Sequence, residues 1–275
     1  MRLADPVAAP WKAELLLGFT ARNGKTILSE KRADGPLVVQ KPLYPEGGEV
    51  CHAIVVHPPG GVAGGDELRL STRASLSSHA LLTTPGAGKW YRSAGPWAGQ
   101  QFAFEVEGAL EWLPRETIVF SGARAVLGCR VQLGENARYI GWEITCLGRT
   151  GSGERFDRGE VRIETAVSRA GRPLLFERGR IEAGGRLMHA PAGLGGRTVF
   201  GTLLAASPSI SMDLLKDCRD DSGEGMALTL LPGLLVARYL GDSSEEAFQG
   251  FSALWAKLRP ALLGRPAHIP RIWST

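Results

Sequence analysis

The sequence predicts a mainly β fold of many short strands, either a sandwich or a helical stack of sheets, with about two helices in the C-terminal third. Most of the chain alternates apolar and polar residues with period two, which is typical of half-buried strands. The runs are short and recur about every 8–12 residues, which favours an all-β architecture. The 36 glycines and 17 prolines fit that many turns.

The clearest strands follow one another through the middle of the chain. Apolar residues recur at alternate positions across 102–106, 125–133 and 161–167, and polar residues such as Gln, Glu and Arg mostly lie between them. One face of each strand is therefore expected to meet a core and the other to meet solvent. Turn residues stand between such segments at Arg22-Asn23-Gly24, Gly134-Glu135-Asn136 and Arg169-Ala170-Gly171.

Two helices are expected near the C-terminus. Asp242-Ser243-Ser244 offers caps, and large apolar residues then recur at three- and four-residue spacing from Phe248 to Leu258. Pro260 is expected to end this helix. A shorter helix is expected to start after Pro208 and to run through Met212 to Lys216. The chain has no internal repeat and no linker longer than a loop, so residues 1–275 are expected to form a single domain.

Composition describes a soluble globular protein, with 44% hydrophobic and 22% charged residues. The net charge is +4, but Arg and Lys are scattered singly, so a nucleic-acid partner is not expected. No apolar stretch is long enough to cross a bilayer, and residues 1–11 lack the pattern of a secretory signal. The four cysteines form no C-x-x-C pair, so a cytoplasmic protein with reduced thiols is expected.

One glycine-rich segment superficially resembles a nucleotide-binding loop. Gly86-Ala87-Gly88-Lys89 has the Gly-Lys pair of a phosphate loop. However, Thr83 stands where such a loop needs its first glycine, and Trp90 stands where it needs the hydroxyl that binds Mg²⁺. The chain also has neither a G-x-S-x-G elbow nor a GxGxxG fingerprint. No enzymatic activity is therefore expected.

Short distinctive segments occur from one end of the chain to the other, at 35–40, 44–47, 51–66, 83–93, 110–114, 117–120, 142–143, 147–149, 156–159, 255–260 and 270–273. Together, and in this order, they resemble the urease accessory protein family UreD, also called UreH. Any one segment would be weak evidence, but the resemblance covers almost the whole chain.

The resemblance implies a non-enzymatic metallochaperone scaffold that helps to load nickel into apo-urease. Its partners would be the apo-urease subunits and a UreF-like accessory protein, through which the UreG GTPase would dock. No cofactor would be bound tightly, and Ni²⁺ would pass transiently along a protected route.

A glycine-rich loop, 60–66, ends at Asp66 just before a predicted strand. Its four glycines permit positive φ angles and the close approach of another backbone. Asp66 is expected either to accept hydrogen bonds from loop amides, as Asp commonly does in turns, or, by the resemblance, to line the nickel route. The sequence leaves both interpretations open.

Two further carboxylates stand among apolar residues. Glu143 lies between Trp142 and Ile144, and Glu177 follows Phe176. Buried carboxylates are costly unless they are paired or face water. Each is expected either to form an internal ion pair with an arginine or to line a hydrated interior that holds a divalent ion weakly enough to release it.

Cys51, His52 and His57 fall close together and carry side chains that bind metals. On one strand Cys51 and His57 would share a face, while His52 would point the other way. A fixed tetrahedral site needs more converging ligands than this. Structural roles are therefore expected, with a transient nickel contact as the alternative.

Two segments are candidates for partner binding. Lys89-Trp90-Tyr91-Arg92 combines the residue types that dominate binding hot spots, although packing of the aromatics at the edge of the core is equally expected. The C-terminal Pro270-Arg271-Ile272-Trp273 ends on apolar residues, so Arg271 and Trp273 are expected to dock on their own domain or on a partner.

A different class of function is also compatible with a β-sandwich. Asp66 and Glu143 could be the paired carboxylates of a carbohydrate-active enzyme or binding module. Such a cleft is expected to display clustered aromatic residues, whereas the seven Trp are dispersed from Trp11 to Trp273.

Overall fold

The computed structural model describes residues 10–274. Residues 1–9 and Thr275, which the sequence analysis included in its single domain and its N-terminal segment, lie outside the described residues. The strands are, in chain order, Lys12–Arg22 (β1), Lys25–Asp34 (β2), Val38–Val39 (β3), Val50–Val56 (β4), Glu67–Ala74 (β5), His79–Thr83 (β6), Gly88–Trp90 (β7), Ala98–Val106 (β8), Ala109–Leu113 (β9), Thr117–Val119 (β10), Arg124–Leu133 (β11), Arg138–Leu147 (β12), Glu160–Arg169 (β13), Arg172–Glu182 (β14), Val199–Ala206 (β15), Met226–Leu231 (β16) and Leu234–Gly241 (β17).

The helices follow in the last third of the chain, as the sequence predicts. They are Arg186–His189 (α1), Met212–Asp220 (α2) and Ser244–Leu263 (α3), with short 3₁₀ turns at Thr150–Ser152 and Arg271–Ser274. Within residues 10–274, no helix combines the length and the apolar character needed to cross a membrane.

The strands form two sheets. The first has the order β14-β13-β11-β8-β5-β1-β2, and the second has the order β16-β17-β15-β12-β9-β6-β4-β3. In the second sheet β10 also pairs with β12, and β7 pairs with β10. From β4 to β13 the chain passes back and forth between the sheets, so successive turns lie parallel, as in β5 beside β8 and β8 beside β11. The fold therefore combines the two predicted architectures, the sandwich and the helical stack, because the helical winding of the chain places two sheets face to face.

The predicted alternation is clearest in β8 of the first sheet, whereas the edge strands β2 and β14 are exposed or half-buried along most of their length. In β8 the even-numbered residues from Ala98 to Val106 are buried and most of the odd-numbered ones are exposed. Two of the predicted turn segments are tight hairpin turns with positive φ, Asn23-Gly24 between β1 and β2 and Ala170-Gly171 between β13 and β14.

Apolar side chains form two layers. One layer lies between the two sheets and includes Leu15, Leu70, Phe104 and Val131. The other lies between the second sheet and helices α2 and α3 and includes Trp142, Phe251 and Trp255. Strands β6, β9 and β12 are therefore buried on both faces, which makes the second sheet the central layer of the molecule.

Helix α3 begins as predicted but does not end at Pro260. Ser243 caps it by accepting a hydrogen bond from the amide of Glu246, and Gly264 ends it in the left-handed conformation. Pro260 lacks the amide needed for one helical hydrogen bond and costs about 3 kcal/mol in a helix interior. Burial of Leu258 and Leu262 on either side of Pro260 holds the last turn in place. The predicted end of this helix was wrong because tertiary packing outweighs the local effect of proline.

Candidate functional site

A cavity of about 490 Å³ lies between the two sheets, near the edge formed by β14. Its wall is largely apolar and aromatic, with a few polar groups that point inward. The inward-facing polar or charged residues used below are Gln100, Cys129, Glu143, Glu177, Thr202 and Arg238.

Burial raises the pKa of Cys129 well above its usual value, and the neighbouring Glu143 carboxyl adds to that shift, so the thiol is protonated at neutral pH.

A second cavity of about 310 Å³ adjoins the first in the same interlayer space. His57, the Gly60–Gly61 turn and the 84–89 loop form part of its wall. Gln100 and Glu143 line both cavities. Glu143 therefore stands where the two interior spaces adjoin.

Glu143 is placed there by the alternation of β12. Its neighbours Trp142 and Ile144 pack in the layer under the helices, so Glu143 points into the space between the sheets. Its Oε1 accepts a hydrogen bond from Nε1 of Trp112 at 2.9 Å. Burial raises the pKa of Glu143 to about 7, against the opposing effect of the Trp112 hydrogen bond. This carboxyl is thus poised to change its charge near neutral pH.

Glu177 lies at the rim of the first cavity, on the edge strand β14. It forms an ion pair with Arg238 of β17, and Arg238 also donates from Nη1 to Oγ1 of Thr202 at 3.2 Å. The pair joins the edge of one sheet to the other across the cavity rim. Glu177 therefore pairs with an arginine, but the pair is partly exposed at the rim and is not the internal ion pair expected from the sequence, and the residue also lines the cavity.

Asp66 is engaged by backbone amides instead of facing a cavity. Its Oδ1 accepts from the amide of Trp11 at 2.8 Å, and its Oδ2 accepts from the amide of Ala63 at 2.7 Å. This is the turn hydrogen bonding expected of an Asp at a loop end. The wall of neither cavity includes Asp66, so the structure does not pair it with Glu143 in one cleft.

The glycine-rich loop packs closely against the predicted partner-binding segment. Gly60 and Gly65 have positive φ angles, and a Cβ atom at Gly61 would lie 2.1 Å from the Tyr91 ring. The sequence predicts the approach of another backbone, whereas at Gly61 the close neighbour is the side chain of Tyr91. The loop forms the boundary between the second cavity and the surface around Tyr91.

Of the three candidate ligands around β4, Cys51 and His57 face the space between the sheets, as expected, and His52 faces the other side. Cys51 is sealed in the layer between the sheets, where burial raises the pKa of its thiol. His52 faces the other side and bonds Oε1 of Glu46 at 2.6 Å. His57 lines the second cavity, and burial lowers its pKa against the opposing charge of Asp66. In residues 10–274, no group of three or more His, Cys, Asp or Glu side chains is placed to hold a metal ion.

A buried charge network under helix α3 was missed by the sequence analysis. Arg259 is fully buried and donates from Nε to both oxygens of Glu111, at 3.0 and 3.1 Å, and from Nη1 and Nη2 to Glu46, at 2.8 and 2.7 Å. His79 bonds Oε1 of Glu111 at 2.7 Å, and Trp255 also donates to Glu111. A signal was available, because Glu111 stands between Leu110 and Trp112 as Glu143 stands between apolar neighbours.

The segment 89–92 divides between core and surface. Trp90 is buried, with 1% of its surface exposed, whereas Lys89 and Arg92 are exposed and Tyr91 is 41% exposed. The Tyr91 ring packs edge-on against Phe120, with centroids 5.1 Å apart. Three of the four predicted contact residues are thus available to a partner, and Trp90 supports them from beneath.

The C-terminal segment docks on its own chain. Trp273 packs against the rings of Trp142, Phe248 and Trp255, with centroids 5.0–5.9 Å apart, and donates from Nε1 to Oγ1 of Thr83 at 2.8 Å. Arg271 is exposed. Of the two sequence interpretations of this segment, the first, docking on its own domain, describes Trp273.

Comparison with known proteins gives a consistent result along the chain. The family model described as UreD urease accessory protein matches residues 12–274. The chain is 53% identical over 282 aligned residues to "Urease accessory protein UreD" of Dechloromonas aromatica (strain RCB), covering 99% of this chain and 98% of that protein. It is 51% identical to the protein of that name from Azoarcus sp. (strain BH72), covering 96% and 94%, and 48% identical to that from Janthinobacterium sp. (strain Marseille), covering 96% and 92%.

Proposed function

This chain belongs to the UreD family of urease accessory proteins, and from that premise we propose that it is a scaffold that binds apo-urease and conducts Ni²⁺ towards it. A UreF-like accessory protein would bind a second surface, and the UreG GTPase would dock through that protein. The chain would contribute binding surfaces and a protected path, and would carry out no chemical reaction itself.

The observation that carries the proposal is the pair of adjoining cavities with Glu143 between them. An ion that crosses the interlayer space through both cavities would pass this carboxyl, and one that enters or leaves at the β14 edge would pass Glu177. Carboxylate oxygens are hard ligands that suit a site meant to release its ion, whereas thiolates would hold a borderline ion such as Ni²⁺ tightly. The protonated state of Cys129 is consistent with transfer through oxygen ligands.

Asp66 has a different part in this proposal. Because both of its oxygens are occupied by backbone amides, its proposed role is to hold the glycine-rich loop that closes the second cavity. His57, which lines that cavity, is then the proposed transient contact among the histidines, while Cys51 and His52 are structural. The exposed residues Lys89, Tyr91, Arg92 and Arg271 are the proposed partner contacts.

The test is activation of purified apo-urease by Ni²⁺, GTP and the accessory proteins, with Glu143→Gln or Glu177→Gln in this chain. We expect each variant to slow activation about tenfold, which corresponds to about 1.4 kcal/mol, because the path loses a carboxylate while shape is kept. The matched control is Glu105→Gln, at an exposed residue on the outer face of the first sheet.

Complex assembly and melting temperature are measured on the same variants. Normal assembly with slow activation supports the path. Variants that unfold or fail to assemble would instead show that these carboxylates serve only structural roles.

A further inference from the structure

Three loop segments meet at the end of the sandwich beside the second cavity. They are 89–97, 120–124 and 148–162, which together are called the arginine–aromatic surface below. Backbone hydrogen bonds join the segments, from the amide of Ser93 to the carbonyl of Gly122 at 2.9 Å, and from the amide of Gly122 to the carbonyl of Arg158 at 2.7 Å. The segments therefore form one continuous surface.

This surface concentrates the positive charge of the molecule. Its three segments hold seven Lys or Arg residues and three Asp or Glu residues, whereas the whole chain has 32 and 28. The local excess of four positive charges equals the net charge of the whole chain, so the remaining residues are balanced. Two of the acidic side chains, Glu154 and Glu160, are only 25% and 13% exposed, and the third, Asp157, is 70% exposed beside Arg158, which is 83% exposed.

Aromatic rings hold several of these arginines in place. The guanidinium groups of Arg124 and Arg162 lie 4.5 and 4.1 Å from the centroid of the Trp97 ring, and that of Arg149 lies 4.6 Å from the centroid of Phe120. Stacking of this kind fixes the guanidinium plane. Each of the three arginines also donates one hydrogen bond within the surface, Arg124 to the Gly95 carbonyl, Arg149 to Glu154 and Arg162 to Glu160, and a guanidinium carries further N–H donors beyond the one used. A partner that binds these groups loses less conformational entropy than one that binds free side chains.

The composition matches that of a protein-binding hot spot. Arg, Trp and Tyr are the residue types enriched at such centres, and Tyr91 offers an exposed ring beside Arg92. Single-stranded nucleic acid is a poorer fit, because it binds by stacking bases on open aromatic faces, and the rings of Trp97 and Phe120 are covered by guanidinium groups.

We propose that the arginine–aromatic surface is the docking site for an acidic surface of another protein of the urease assembly. The inference rests on the proposed scaffold function and adds the chemistry of one of its interfaces. Carboxylates of the partner would pair with the outward guanidinium edges, and Tyr91 would bury its ring at the centre. Electrostatic attraction of this kind raises the association rate and weakens as salt is added.

The test compares two double variants that remove the same charge. Arg92→Ala/Arg158→Ala removes exposed arginines of the surface, and the control Arg32→Ala/Arg73→Ala removes exposed arginines of the first sheet. Binding of each purified protein to apo-urease and to the UreF-like protein is measured by interferometry at about 50 and about 300 mM NaCl. Melting temperatures confirm that each variant is folded.

We expect the surface variant to bind one of the two partners at least about tenfold more weakly than wild type at low salt, mainly through a slower association rate. The difference should shrink at high salt, and the control should stay within about twofold. Equal binding by both variants, with wild type still binding, would overturn the docking site and leave the scaffold function standing. If wild type binds neither partner, the scaffold function itself fails, and the docking site with it.

A third arm separates protein from nucleic acid. Wild type is titrated with a DNA duplex of about 20 base pairs under the same conditions. DNA binding as tight as partner binding, and lost in the surface variant, would overturn the assignment to an acidic protein.

Discussion

At the scale of single residues, Glu111 is a buried carboxylate that is stabilised by hydrogen bonds and by opposite charge. It is fully buried, yet it accepts hydrogen bonds from Arg259, His79 and Trp255. Burial alone would raise its pKa, but the His79 hydrogen bond and the charges of His79 and Arg259 outweigh burial and lower it. Glu46 behaves similarly, because hydrogen bonds from His52 and Arg259 outweigh burial and lower its pKa to about 2.

These shifts determine how stability depends on pH. A carboxyl whose folded-state pKa lies below its ordinary value of 4.5 stabilises the fold above about pH 4.5 and loses that contribution as the pH falls towards the folded-state pKa. For Glu46 the loss falls between about pH 4.5 and about pH 2. Loss of the stabilisation that this network provides is therefore expected to contribute to unfolding below pH 4.5.

We predict that Glu111→Gln lowers the free energy of unfolding by about 3 kcal/mol at pH 7, because it leaves Arg259 buried with one carboxylate removed. The deficit should shrink below pH 4.5, where the wild-type carboxylates also begin to lose their charge. Urea denaturation at several pH values measures both effects. The exposed Glu105→Gln is the control, and a deficit that is the same at pH 7 and pH 3 would contradict the electrostatic account.

At the scale of elements, helix α3 and the C-terminal segment form one packed unit. The helix places Phe248 and Trp255 towards the second sheet, and Trp273 returns to cover both rings. Helical spacing predicts which side chains of α3 face inward. It does not predict that a segment ten residues further on closes over them, because that contact depends on the path of the intervening loop.

We predict that Trp273→Ala lowers the free energy of unfolding by about 2–3 kcal/mol, somewhat less than the loss of a fully buried Trp, because its side chain is partly exposed. The melting temperature should fall by several degrees. Arg271→Ala, at the exposed end of the same segment, should change stability by less than about 0.5 kcal/mol. Thermal melts of both variants, together with a partner pull-down, distinguish packing of Trp273 on its own chain from a role in partner binding. If Trp273→Ala melts normally but loses the partner, Trp273 is an interface residue.

At the scale of the whole molecule, the interior cavities arise from the way that the chain winds between its two sheets. The sheets are joined on the inside mainly by large side chains such as Phe104 and Trp112. Towards the β14 edge smaller residues take their place, including Gly141 and Gly179, and the space between the sheets is left open. The path proposed for nickel is thus a consequence of local side-chain size across several strands.

We predict that Gly179→Phe obstructs this path. Gly179 faces the first cavity, has no atoms within 4 Å of a Cβ built on it, and does not have a positive φ angle, so a ring can enter the cavity without strain. Urease activation should slow while the protein stays folded and assembles normally. The control is Gly99→Phe. It makes the same change on the face of β8 that points away from the cavity, because its neighbour Gln100 lines the cavity. Normal activation by Gly179→Phe would place the nickel path elsewhere.

The sequence by itself determined the mainly β class, the strands with one buried face, the position of the two longer helices and the family. These follow from local periodicity, caps and turn residues, and from distinctive segments that do not require knowledge of contacts. The sequence also indicated Glu143 and Glu177 as carboxylates that need a partner or water, because each lies beside large apolar residues. The single domain stays a prediction.

Only the tertiary structure decided which of the alternatives each residue follows. Asp66 accepts hydrogen bonds from two backbone amides, and Glu177 forms an ion pair with Arg238. Glu143 lines both cavities where they adjoin. The partners of Glu111 lie 32 to 148 residues away in the chain, and no local pattern encodes such a separation. The physical reason is that the free energy of a buried charge depends on groups brought together by the winding of the sheets, whereas the preference for a strand depends on near neighbours.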